Sequence, residues 1–436
     1  MNLNRKAMVL AVGAALAAPG AYAQITSKAG SSWEFYGKFY PEVTHMRGDG
    51  ATDPSTPASQ LSSLVQSRGA NAIIPRWEMQ ISNTYLGFRG DKQVGRGSKA
   101  IWQLEQTVNI DEGNQTTSFA GRNSFAGLTN DGWGTFRLGN MDTPYKEYGN
   151  ILGFLGVNSG NFVSQSNVLQ KAGFGTSSAS SFNLRRANAV DFTSPTILGG
   201  LEAKAQYSIG NPSEDKITVD PKRSPRVASW GVKWERGPLL VTFAQESHRD
   251  LFGGSNQFSA ASFTTTVDPA TGIVTTTGKK ADVRRNTEEP SVRSVDRANQ
   301  VAVVYKMGIH SVEADFVRKH YKEEGVSVDG RFEDYKNNAY MLILESRWSG
   351  ALRTAVHYIK ASAGSCSLGN TACTTDGLGG HQIDVGVAYY LDPSVYIFVL
   401  ASKLTNGASA VYNSSSQKPS PGEDITQGGV GIAYTF

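Results

Sequence analysis

Polar and apolar residues alternate with a period of two through most of this chain. In 201–207, Leu201, Ala203, Ala205 and Tyr207 interleave with Glu202, Lys204 and Gln206. In 311–316, Val312, Ala314 and Phe316 interleave with Ser311, Glu313 and Asp315, and 382–389 repeats the pattern. Successive side chains of a strand point to opposite faces, so such runs predict strands with one apolar and one polar face. Sixteen are predicted, at 33–45 (with bends at Gly37 and Pro41), 83–91, 99–110, 122–128, 134–139, 188–193, 201–209, 226–235, 239–248, 299–306, 311–321, 335–348, 351–361, 381–390, 395–403 and 425–436. Their connections alternate strictly between long and short. An antiparallel meander with all its tight turns at one end produces that rhythm, and a transmembrane barrel with short periplasmic turns and long external loops has it. A soluble sandwich also alternates, but a chain this long would need several, and nothing in it resembles an interdomain linker. The expected fold is an all-β, 16-stranded antiparallel transmembrane barrel.

The stretch 140–187 lacks either periodicity and is rich in Gly, Ser, Asn and aromatic residues. A structureless segment of this length inside a compact domain argues for a functional loop. Lying between two short strands, as the third external loop, it is expected to fold inward and narrow the bore. The final strand places Val430, Ile432, Tyr434 and Phe436 on one face. It must pair with the first strand, because an open edge in lipid leaves backbone groups unsatisfied.

Residues 1–23 read as a signal peptide: Arg5 and Lys6, an apolar run from Ala7 to Ala18, and the cleavage pattern Ala21-Tyr22-Ala23. Its apolar run is shorter than the ~20 residues of a spanning helix. Removing 23 residues, two of them basic, from 436 leaves 413 and lowers the formal charge from +4 to +2. That balance gives no reason to invoke nucleic acid. Mean hydropathy is −0.31, and no long apolar run suggests a helical membrane protein. Cys366 and Cys373, in a Gly/Ser/Thr-rich loop, are expected to form a local disulfide. No phosphate cradle appears, Gly429-x-Gly431 has no helix after it, and the six His are scattered, so neither cofactor nor metal is expected.

Several segments resemble the general porins of the beta-proteobacterial, trimeric outer-membrane porin family. They are 84–90 (TYLGFRG), 122–128 (RNSFAGL), 134–144 (GTFRLGNMDTP), 186–195 (RANAVDFTSP) leading to Tyr207-Ser208 and Gly210, and the last strand. The resemblance implies a homotrimer in outer-membrane lipid, with the third loop constricting a channel for passive diffusion of small hydrophilic solutes. It also implies an arginine cluster on the wall facing acidic residues of that loop. Arg122 matches the pattern, whereas Tyr85 and Asn140 stand where the family has arginine.

A pore needs no catalytic group; it needs water and a few charges in a low-dielectric surround. Strand parity places Arg89, Lys99, Glu105, Arg122 and Arg137 on the lumen face. Asp142 and Glu147 open the inward loop, and Arg185 and Arg186 close it. Between 142 and 186 the basic residues Lys146, Lys171, Arg185 and Arg186 outnumber the acidic ones by two, so a weak anion preference is expected. The competing expectation is that these charges pair with one another and pin the loop. His357, on the lumen side of its strand, reads as a solvated histidine. Other functions weighed are a channel selective for a small organic anion or sugar, a barrel enzyme, for which no Ser/His/Asp grouping is evident, and an adhesive surface barrel using the Thr-rich loop 250–296.

Overall fold

The structure, a computed structural model, describes residues 25–26, 31–64, 69–111, 119–149, 151–157, 160–175, 181–209, 225–250, 263–267, 274–278, 293–324, 332–414 and 417–436. The proposed signal peptide and most of 250–296 lie outside them. Sixteen antiparallel strands close into one barrel. They are β1 (Ser31–Phe39, continuing as Glu42–Asp49), β2 (Arg76–Gln80, continuing as Tyr85–Gly95), β3 (Ser98–Thr107) and β4 (Ser124–Asn130). Then come β5 (Gly134–Asp142), β6 (Arg185–Thr193), β7 (Leu201–Ser208), β8 (Arg226–Arg236), β9 (Leu239–Arg249) and β10 (Arg293–Met307). The last are β11 (His310–Glu324), β12 (Phe332–Arg347), β13 (Leu352–Ala361), β14 (Gly380–Asp392), β15 (Val395–Asn406) and β16 (Asp424–Thr435).

Several boundaries differ from expectation; β10, for one, begins at Arg293 and not at 299, within the predicted loop 250–296. The strand Arg76–Gln80 falls in the predicted loop 46–82; it pairs with Glu42–Met46 and carries β2 past a corner. That corner forms because Pro41 lacks an N–H to continue the ladder. There the Tyr40 amide donates instead to Thr84 Oγ1 at 2.9 Å. β6 begins at Arg185, not at 188, so the inward loop is 143–184. Within the predicted loop 250–296, Phe263–Val267 and Val274–Gly278 pair as a hairpin.

Closure is through β16, which pairs with Glu42–Asp49 and with Lys38 and Phe39. Gly37 and Phe436 exchange two backbone bonds, of 2.9 and 3.0 Å. The short turns sit at the opposite end from the long loops. Gly237 and Gly308, each at φ 61°, supply the left-handed residue that the turns after β8 and β10 require.

The two faces invert the distribution of a soluble protein. Ile383, Val385 and Val387 are exposed, whereas Gln382 and Asp384, alternating with them, are fully buried. Phe316 is exposed beside buried Glu313, Asp315 and Lys319. Apolar residues outside and polar residues inside fit lipid around the wall and exclude the sandwich.

Candidate pore constriction

The inward loop 143–184 starts with a short helix, α1 (Pro144–Tyr148). Thr143 caps it through a bond from the Lys146 amide, and Pro144 presets its first turn. From there the loop is uncharged except for Lys171, and no acidic residue stands between Glu147 and Asp191. Uncharged backbone can lie against a buried polar wall only if that wall supplies partners, and it does so strand after strand. Thr242 Oγ1 on β9 donates to the Tyr148 carbonyl at 2.6 Å, and Gln300 Nε2 on β10 to the Gly149 carbonyl at 2.8 Å. Glu313 on β11 accepts the amides of Ile151 and Leu152 at 3.1 and 2.7 Å. Gln382 Nε2 on β14 donates to the Phe162 carbonyl at 2.8 Å, and Lys319 Nζ on β11 to the Leu169 carbonyl at 2.6 Å.

Between those bonds the loop buries Phe154, Leu155, Val157, Phe162, Val163, Val168 and Leu169 against Tyr40, Ile359, Phe398 and Leu400. A buried Leu or Phe contributes on the order of 1.5–3 kcal/mol. Several together make the loop part of the core and not a flap. It occupies the β9–β15 side of the bore. Glu313, Asp315 and Asp384 on that side, and Glu42 at the β1 corner that Asn161 of the loop reaches, are buried behind it. His357 is there too, fully buried, 2.8 Å from Asp384 and stacked on Phe154, so it is a covered side chain and not a solvated one.

The opposite wall, β1 to β5, stays open. Glu34, Tyr36, Tyr85, Arg89, Gln103 and Glu105 line a cleft of about 350 Å³ there. Arg89 pairs with Glu34 and lies over the Tyr36 ring, 4.8 Å from its centre. Arg122 pairs with Glu105 and lies 4.6 Å over Tyr85. Thus Tyr85, standing at a family arginine position, supports a neighbouring arginine instead. Asn140 does the same: its Nδ2 donates to the carbonyls of Gly121 and Arg122 at 3.2 and 3.1 Å and fixes the turn that carries Arg122. Lys99 pairs with Asp91 at 3.4 Å.

The remaining predicted charges pin the two ends of the loop. Arg137 on β5 donates to Asp191 on β6 at 2.6 Å, with Lys204 on β7 at 3.7 Å from the same fully buried carboxylate. Lys204 also pairs with Glu147. Asp142 receives Lys146 at 2.9 Å and Arg185 at 3.2 Å. Arg186 is buried, donates to the Ser181 carbonyl at 3.0 Å and lies 4.0 Å from Glu246, so it faces the loop's return and not the bore. The expectation that these charges pair and hold the loop therefore describes all of them except the open wall.

Two further lumen cations stand apart. Lys38 on β1 donates to the Gly156 carbonyl at the loop's far end, 3.1 Å away, and lies 4.9 Å over the Tyr40 ring. Arg353 on β13 lies 4.1 Å over Tyr390. Among the described residues neither has a carboxylate at ion-pair distance. Parity within 33–45 puts Glu34, Tyr36 and Lys38 on one face, so the sequence carried that signal; which of them would remain unpaired it could not carry.

Near the mouth, Cys366 and Cys373 are joined in a disulfide, with their Cα atoms 5.7 Å apart. The strap they close meets the first loop. The Ser63 amide donates to the Thr374 carbonyl at 3.0 Å, and Thr374 Oγ1 to the Leu61 carbonyl at 3.1 Å.

A closed barrel with an apolar belt, a polar wall and a loop folded into its bore defines the class of outer-membrane channel barrels. The chain belongs to the Gram-negative porin family, whose profile matches residues 8–409. It is an outer-membrane protein. A stretch of 64 residues is 41% identical to the major outer membrane protein P.IB of Neisseria gonorrhoeae, covering 15% of this chain and 18% of that protein. The match thus spans less than a fifth of that relative's length. Among solved structures, the anion-selective porin from Comamonas acidovorans has a TM-score of 0.63 at 19% identity, covering 93% of this chain and 100% of that one. OmpT of Vibrio cholerae has a TM-score of 0.58 at 13% identity, covering 95% of this chain and 100% of that one. At these identities the two structures speak for the fold alone.

Proposed function

We propose that the chain is exported on residues 1–23 and forms a water-filled channel for passive diffusion of small hydrophilic solutes and ions, with a weak preference for anions and no catalytic step. The observation that carries the reading is charge placement at the narrowing. The open wall presents Arg89, Arg122 and Lys99 with their partners, plus Lys38 with none, and the loop facing it has no carboxylate from 148 to 190. Carboxylates on the loop's own side lie behind it, out of the water path. The name of the Comamonas porin is consistent with this sign.

A homotrimer is part of the proposal. β4 has seven residues and β7 eight, fewer than the about 9–11 a tilted strand needs to cross a bilayer alone. That low stretch of wall, with Leu128, Phe136 and Leu138 exposed on its outer face, fits a neighbouring barrel better than lipid. Planar-bilayer recording of the purified mature protein tests the reading. Stepwise openings in groups of three, with conductance proportional to bath conductivity, are expected; a folded barrel that passes no current contradicts it.

A further inference from the structure

The outward face of β10 to β13 changes character toward the external end. Val303, Phe316, Tyr340, Leu342 and Tyr358 are exposed and apolar or aromatic, as lipid and an interfacial aromatic girdle require. Beyond them on the same face stand Arg297 on β10, Arg318 and His320 on β11, Lys336 on β12 and Lys360 on β13. Register brings these together: Arg297 is directly opposite His320, His320 directly opposite Lys336, and Lys360 directly opposite His381 of β14. Directly opposed Cβ atoms lie about 4.5–5.5 Å apart, where like charges destabilise a sheet. Among the described residues one carboxylate, Asp334, reaches the row, 3.6 Å from His320 and 3.1 Å from Lys336. Arg297, Arg318 and Lys360 are exposed, and among the described residues no carboxylate lies at ion-pair distance from any of them.

A concentration of cations, of which only Lys336 has a carboxylate partner among the described residues, sits just above an aromatic girdle, at the height of the outer-leaflet headgroups. Arginine forks match phosphate oxygens in pairs, and lysine adds a point charge. Strand spacing of about 4.8 Å spreads the four cations over a width on the order of 15 Å, enough for a headgroup bearing more than one phosphate. We propose that Arg297, Arg318, Lys336 and Lys360 form a docking site for a phosphorylated lipid of the outer leaflet. This goes beyond the channel reading and does not depend on ion selectivity.

The test uses the full-length barrel in neutral detergent, with lipid A, dephosphorylated lipid A and inorganic phosphate as probes, and retained lipid measured by native mass spectrometry. The wild type retains lipid A and not its dephosphorylated form. Arg297→Gln/Arg318→Gln/Lys360→Gln weakens retention about fivefold per cation, roughly a hundredfold in all, with unchanged conductance in lipid-A-free bilayers. Should the triple variant not fold, Arg318→Gln alone is expected to lose about fivefold. Arg47→Gln, whose charge already lies 3.8 Å from Asp49, serves as control and should change little. Equal retention by wild type and triple variant overturns the site, as does equal retention of the dephosphorylated lipid. Displacement by millimolar inorganic phosphate reassigns it to free phosphate and overturns the lipid docking. An equal loss in Arg47→Gln reduces it to diffuse charge and overturns it as well.

Discussion

Asp191 is the residue on which the anchored end of the inward loop depends. It is fully buried, with Arg137 at 2.6 Å and Lys204 at 3.7 Å. Removing one partner of a buried ionic group leaves an uncompensated charge, which costs about 3–5 kcal/mol. Asp191→Asn is therefore expected to lower the thermal midpoint markedly, while Lys99→Gln, at an exposed pair, should shift it very little; calorimetry separates the two. Lys38 has the opposite character, holding position through a carbonyl and a ring. Lys38→Glu should move the reversal potential toward cations, and Arg89→Gln, which also strands Glu34, should do so less. Lys171, on the loop, is pushed down to about 8 by burial. The folded chain then binds fewer protons than the unfolded one between about 8 and the ordinary 10.5, so this group makes stability rise with pH across that window. Lys171→Met should reduce the rise of the thermal midpoint with pH across that window.

At the scale of elements, the inward loop and the strap above it behave as parts of the core. A Cβ on Gly173 would lie 2.0 Å from the Leu378 carbonyl oxygen, so Gly173→Val must push the loop away from the mouth. A changed single-channel conductance is the expected result, with a destabilisation of about 1–3 kcal/mol from the displaced core packing. Ser62→Ala/Thr374→Ala removes bonds that tie the first loop to the disulfide strap, at about 1 kcal/mol each. Conductance should rise without a change of ion preference. Strands were legible in the sequence wherever one face meets lipid, because alternation is then enforced at every second residue, as in 201–207. Elements without that constraint were less so. The strand Arg76–Gln80 is defined by pairing with β1, and β6 begins at Arg185 because Met141 and Asp142 pair with Arg186 and Arg185 past a bulge near Gly139. Neither is a local property. Parity likewise gave the lumen face of Arg89, Lys99, Glu105 and Arg137, but ion partners such as Asp191 and Glu34 come from neighbouring strands and stayed out of view.

For the molecule as a whole, the barrel separates three media: lipid outside, a packed core on one side of the bore, and water along β1 to β5. The core half is unusual only in location, since it buries Tyr145, Phe154, Phe174 and Phe182 inside a pore. It fixes the water path against the wall that carries Lys38, Arg89 and Arg122. The central claim is that this wall, faced by a loop without carboxylates, gives the channel its sign. The reversal potential of the purified protein in a planar bilayer under a KCl gradient tests it most directly. A potential displaced toward that of chloride is predicted; one displaced toward that of potassium would contradict the account.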